Sequence, residues 1–474
     1  MKTRAPHATP WRLVALSIST FIIVSCGGVG SDGTGAPPQA LGNGTVTGFG
    51  SVIVDGVAFD DRSAATVTEV EPGKEVVTET RLGDRLEVAS ASAGVAKTLR
   101  VEPTVVGSVS ALVTNGFLAL GQTVLVNIDA GLGPVTQLDG YASAADVRIG
   151  DTVEVHGVYK SVGTAQVVQA TRIVKRLDTP TFIRVAGLVQ GLSSGPQKQF
   201  KVGALTIDYS AATLAPNGAM LADGTAVVAF APPDHLAAQS DGSLRLTATA
   251  LRVKGLRSDG LDTYASGIVS QLDMAAGRFK LDGLTVIYSP LNVSPAGVSL
   301  ANGQYVQARG MVGADGVLAA TLVTVRDGKS QPESELTGTV VGFDGLAGTF
   351  SVRDVLVTVG SASLEACPSG GLQDGLFVEV EGAMNTSGVT AKEIHCTSEA
   401  ADSTVEREGM ASAVDISASS FTLLRTGSTS VPVSWTALTY FGNVTPQTLS
   451  GVKVEVEGVL SGGVLQASKI KRDD

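Results

Sequence analysis

The stretch 449–470, LSGVKVEVEGVLSGGVLQASKI, constrains this chain more than any other because the chain writes it several times. Residues 372–394 read LQDGLFVEVEGAMNTSGVTAKEI, residues 300–323 read LANGQYVQARGMVGADGVLAATLV, and residues 147–173 hold VRIGDTVEVHG followed by VVQATRI. The shared frame is a turn ending in Gly, an alternating apolar run, a Gly, a polar turn and a second alternating run. Successive side chains of a strand point to opposite faces, so Val378 and Val380 face one way and Glu379 and Glu381 the other. The module is therefore a β-hairpin with a core face and a polar face. Across the copies the apolar face keeps its character, while the polar face changes from Glu455/Glu457 to Glu154/His156 to Gln307/Arg309. That variation predicts a solvated surface and argues against a repeated active site.

Each copy closes a longer unit that opens with G-x-V, as at Gly107-Ser108-Val109, Gly267-Ile268-Val269 and Gly338-Thr339-Val340. A strand beginning near F-x-V follows, as at Phe200-Lys201-Val202 and Phe350-Ser351-Val352. Gly310, Gly382 and Gly458 recur about 70 to 76 positions apart. The pattern predicts about six β repeats, at 43–103, 104–177, 182–255, 263–327, 335–397 and 405–472, the first and third degenerate and the third with a long loop after Pro232-Pro233. Five short strands per unit, with room for a helical turn near 362–372, suit a small five-stranded barrel of the OB kind, in which closure removes exposed edges. A sandwich or a continuous solenoid fits the same pattern. With 5% aromatic residues, 57 glycines and no helix-period stripe beyond the N-terminus, the expectation is all-β.

Lys2, Arg4 and Arg12 precede an apolar run at 13–24, LVALSISTFIIV, of the length of a secretory signal and too short for a comfortable membrane span. Ile23-Val24-Ser25-Cys26 resembles the bacterial lipoprotein lipobox. The resemblance implies a signal peptide at 1–25, lipidation (palmitate included) of Cys26 as the first mature residue, and, with Gly27 following, delivery to the outer membrane if the cell is Gram-negative. Residues 26–42 read as a Gly/Ser/Pro-rich tether. Its Gly28-x-Gly30-x-x-Gly33 lacks the strand and helix that a dinucleotide fingerprint requires.

The G-x-V opening, the F-x-V strand, and L-x-x-G-x-x-V-x-V-x-G followed by L-x-A-x-x-I resemble the bacterial domain family DUF5666, most sharply at 338–394 and 409–470. The motif is structural, and the resemblance implies no catalytic residue.

Cys367 and Cys396 lie in one small unit of an exported chain and are expected to pair as a disulfide. Gly191-x-Ser193-x-Gly195 matches the hydrolase elbow but occupies a hairpin turn, with His235 the only base in its unit. No histidine pair has ligand spacing, so neither a metal nor a cofactor is expected; Asp55, Asp60 and Asp61 suggest at most a weak calcium loop without the EF-hand frame. A net charge of −11 argues against a nucleic-acid partner. The expectation is a non-enzymatic, lipid-anchored cell-envelope protein, a tethered string of β domains acting as a binding or structural scaffold. Its partners would be the membrane, through the N-terminal lipid, and an envelope protein or glycan. The alternative is a carbohydrate-binding module or accessory subunit of a polysaccharide-active system, with the aromatic cluster Trp435, Tyr440 and Phe441 as the contact.

Overall fold

The computed structural model describes residues 41–92, 94–163, 165–193, 195, 197–255, 262–326, 334–399, 403–425 and 429–473. Cys26, the signal segment and the tether as far as residue 40 lie outside them, while residues 41–42, expected in the tether, belong to the first strand, Leu41–Phe49. The described residues are all-β, with four short 3₁₀ turns and no α-helix.

The sixth repeat displays the pairing order. Its opening strand, Thr404–Asp415, pairs antiparallel with Ser420–Leu424 at one end and with Lys453–Ser461 at the other. Ser420–Leu424 pairs with Val431–Ser434, which runs parallel to the last strand, Val464–Arg472. The hairpin of Lys453–Ser461 with Val464–Arg472 closes the ring, and Tyr440–Gly442 adds a short parallel neighbour to the last strand. The ring thus runs first, second, third, last, fourth and back to first, with one parallel contact, which is the order of a small OB-like barrel. The same ring recurs in the other repeats, for instance through the parallel contacts Val124↔Val168, Val286↔Leu318 and Leu356↔Gly388. The predicted helical turn before the fourth strand is instead the strand Ser363–Glu365, paired to Gly388–Thr397.

The glycine in the middle of the module is a packing requirement. The hairpin register slips at Gly157, Gly310, Gly382 and Gly458, a β-bulge that bends the long strands around the barrel. A Cβ at Gly382 would stand 2.4 Å from the carbonyl oxygen of Thr390, and one at Gly458 2.1 Å from that of Gln466.

The repeats are not strung as separate beads. The opening strand of the first repeat, Leu41–Phe49, pairs parallel with Asp262–Ile268 of the fourth and with Ser334–Thr339 of the fifth. The opening strands of the second and third repeats pair through Arg184↔Val106 and Val185↔Val105. Cores merge accordingly: Val46, Phe59 and Leu99 of the first repeat share a cluster with Leu336, Phe350 and Ile394 of the fifth, and the second shares one with the third.

This packing corrects the expectation that the polar strand faces are solvated. Arg309 is exposed as predicted, but His156 is 0% and Glu457 5% exposed. Both are covered by another repeat. His156 accepts from the backbone N–H of Arg85 at Nδ1 (3.2 Å) and turns Nε2 toward Glu154 and Asp84, at 3.2 and 3.4 Å.

Candidate functional site

A cavity of about 950 Å³ opens where the first, second, fifth and sixth repeats meet. Its shape follows from the packing just described, so no single repeat contains it. Six carboxylates and six cationic side chains line it, together with several hydroxyls and Tyr440.

One wall is built on a turn. Val352 and Val355 face each other across the two-residue connection Arg353-Asp354, and both of these residues take positive φ, 49° and 61°. The equivalent connection holds a glycine in other repeats, Asp55-Gly56, Gly203-Ala204 and Asp282-Gly283, as such tight hairpins prefer. A left-handed conformation at two non-glycine residues costs free energy and persists where the surroundings hold it. Here they do. Arg353 donates from Nε and Nη2 to Glu457 at 2.9 and 2.6 Å and stacks 5.1 Å from the centre of the Phe49 ring. Asp354 Oδ2 accepts from the ammonium groups of Lys469 and Lys471 at 3.1 and 3.0 Å.

Lys469 is the hub of this wall. Besides Asp354 it lies 3.0 Å from Glu457, 3.8 Å from Glu455 and 3.9 Å from Glu79 of the first repeat. Burial works against its charge, but these carboxylates outweigh burial and hold its pKa well above the ordinary lysine range. Burial likewise pushes Glu457 and Asp354 up, and their cationic partners more than offset it, leaving each carboxyl at about 2. Glu406 goes the other way: burial, then the charges of Glu455 and Glu457, raise it to about 9. Oxygens of Asp354, Glu406 and Glu455 come within 4.8 Å of one another. The Lys469 ammonium already brings positive charge to two of the three, and the group needs no metal to balance it.

The opposite wall joins the first and second repeats. Arg81 and Arg172 both donate to Oδ2 of Asp139, at 2.6 and 2.5 Å, and Arg81 also holds Glu79 at 2.7 Å. Arg172 in addition approaches the buried Asp84, 3.5 Å away.

The residues singled out in the sequence fall in several places. Cys367 and Cys396 form a disulfide. Trp435 is buried in the core of the sixth repeat, 6.1 Å from the ring centres of both Phe421 and Phe441, and so takes the structural role that its sequence context favoured over a contact surface. Phe441 is half-buried against the same core. Tyr440 points elsewhere, bordering the cavity. Asp55, Asp60 and Asp61 do not converge: Asp55 is buried against the fourth repeat, Asp60 is held by Arg62 at 2.9 Å, and Asp61 faces the cavity. Ser193 Oγ accepts from Gly195 N–H at 3.4 Å within its turn, while His235 Nδ1 donates to the Thr247 carbonyl at 3.1 Å. Sequence reasoning missed Arg353, Asp354 and Lys469. The departure of Arg353-Asp354 from the glycine-bearing turns of the other repeats was the available signal.

The model of a domain of unknown function, DUF5666, matches residues 266–324, 337–395 and 408–471. A solved structure described as Drosophila Unr CSD456 is similar over 44% of this chain and 96% of its own, at 13% identity and a TM-score of 0.13. No curated protein matches the chain.

Proposed function

We propose that this chain, which carries repeated DUF5666 domains at 266–324, 337–395 and 408–471, is a lipid-anchored, non-enzymatic scaffold of the cell envelope. The observation that carries the reading is strand pairing between repeats far apart in sequence: Leu41–Phe49 adds to the opening strands of the fourth and fifth repeats at once. Main-chain pairing of this kind, backed by merged cores, makes a body that presents a fixed surface. Enzymatic work would require a nucleophile, acid or base free to react, whereas most charged groups of the cavity, Arg81 with Asp139 and Arg353 with Glu457 among them, are paired with one another. No helix among the described residues is long and apolar enough to cross a membrane. Attachment rests in this reading on Cys26, with the outer membrane as the favoured address and an envelope protein or glycan as the partner.

Two measurements test the parts separately. A Cys26→Ala chain is expected to lose metabolically incorporated palmitate and leave the membrane fraction; retention of both would overturn the anchor. After limited proteolysis of the full chain the repeats are expected to stay together under native conditions. A ladder of single repeats would overturn the rigid scaffold.

A further inference from the structure

We infer that the cavity between the first, second, fifth and sixth repeats is a binding site for a neutral, polyhydroxylated ligand, an oligosaccharide without acidic or amino groups. The volume, about 950 Å³, lies at the upper end of ligand pockets. Its wall is polar, which disfavours the apolar ligands that most pockets of that size accept.

The charge arrangement narrows the class. Carboxylates and cations line the cavity in equal number, and its two walls each use the same device. On one wall Oδ2 of Asp139 takes both Arg81 and Arg172; on the other, Oδ2 of Asp354 takes both Lys469 and Lys471. In each case the charge is neutralised by residues from the wall itself, while Oδ1 carries no bond to a described residue. An ionic ligand would have to compete with these pairs. A hydroxyl does not: it can donate to the spare carboxylate oxygen without disturbing the pair, and hydrogen bonds to charged groups are the strong ones. Tyr440 completes the set, an aromatic ring on the lining beside Phe49, with a flat apolar face and a polar tip. It belongs to the aromatic cluster noted in the sequence, yet it contributes from a different position, since Trp435 is turned into the core.

The site goes beyond the scaffold reading and does not depend on the anchor. It does depend on the repeats staying packed, because its walls come from four of them. Binding should therefore also oppose their separation, as any ligand selective for the assembled state does.

The test is titration calorimetry of the full chain in detergent with maltotetraose, cellotetraose, chitotetraose and, as the acidic comparison, tetragalacturonate. At least one neutral tetrasaccharide is expected to bind, and tetragalacturonate to bind more weakly or not at all. Asp139→Asn and Tyr440→Ala are each expected to weaken the bound sugar about tenfold or more. Ser461→Trp places bulk at an exposed lining position whose side chain makes no hydrogen bond to a described residue, so it should block binding without touching the ion pairs even if Asp139→Asn unsettles the fold. Lys97→Ala, exposed and away from the cavity, should change nothing. Failure of all three neutral sugars, preference for tetragalacturonate, or binding that survives Ser461→Trp would each overturn the assignment.

Discussion

The hydroxyl of Tyr305, in the fourth repeat, donates to both carboxylate oxygens of Asp55 in the first, each at 3.0 Å and across 250 positions of sequence. Asp55 sits at positive φ in the tight turn that ends the second strand of its repeat, so its side chain is thrown outward from its own barrel. The Asp55 side chain is only 3% exposed, and three further donors reach it: the Ser266 hydroxyl, the Thr45 N–H at 2.7 Å and Arg326 at 3.3 Å. A carboxylate so placed is a bolt between repeats, and turn residues at the same position in the fifth repeat, Arg353-Asp354, do the same toward the sixth.

Removing the bolt should destabilise the assembly in proportion to what is left unpaired. Asp55→Ala removes the buried carboxylate shared by the Tyr305 and Ser266 hydroxyls, the Thr45 N–H and Arg326, and is expected to cost about 3–5 kcal/mol. Tyr305→Phe removes one donor to a charged acceptor and leaves the others, for about 1.5–3 kcal/mol. Urea unfolding of the two variants checks the order; a Tyr305→Phe loss equal to or larger than that of Asp55→Ala would show the carboxylate to be incidental.

The module glycines should be intolerant for a steric reason. An added Cβ at Gly382 would meet the Thr390 carbonyl oxygen at 2.4 Å, a backbone atom that cannot rotate away. Gly382→Ala is expected to cost about 1–3 kcal/mol by overpacking. Gly462→Ala, a turn glycine with nothing within 4 Å but φ 58°, isolates the purely conformational penalty. Comparing the two unfolding midpoints separates contact from backbone strain.

Much of the fold was legible in the sequence because the signals are local. Period-two alternation marks the hairpin of Phe377–Asn385 with Gly388–Thr397, and the glycine inside it marks the bulge. What was not legible depends on which repeats touch. Nothing in V-E-V-H-G says that His156 is buried under Arg85, or in V-E-V-E-G that Glu457 meets Arg353, while the equivalent Arg309 remains in solvent. The polar face of a strand looks the same whether water or another barrel covers it. The cavity shares that fate, since Asp139 and Lys469 come from units whose contact no local pattern encodes.

The disulfide should act on one repeat. Cys367 and Cys396 are 29 positions apart, and closing such a loop stabilises by about 3–4 kcal/mol in the chain-entropy model. The double variant Cys367→Ser/Cys396→Ala is expected to raise amide hydrogen exchange in Phe377–Asn385 and Gly388–Thr397 while leaving Tyr305–Val312 of the fourth repeat nearly unchanged. Uniform acceleration across both repeats would mean that they open as one unit.

Glu406 sets the pH dependence of the junction between the fifth and sixth repeats. Burial and the neighbouring carboxylates Glu455 and Glu457 lift it from 4.5 to about 9, so between these values the folded chain holds a proton that the unfolded chain has released. By linkage stability must then fall as pH rises through this window. Glu457 has the opposite sign: held at about 2 despite its burial, by Arg353 and Lys469, it contributes stability that is complete above 4.5 and is lost as pH falls toward 2. Unfolding midpoints measured from pH 5 to 9 are therefore expected to decline, and Glu406→Gln, which keeps the neutral shape, to flatten the decline. The variant should be no less stable than the parent at pH 9. A slope unchanged by Glu406→Gln would place the titrating group elsewhere, and a stability that rises across the window would remove Glu406 from the account altogether.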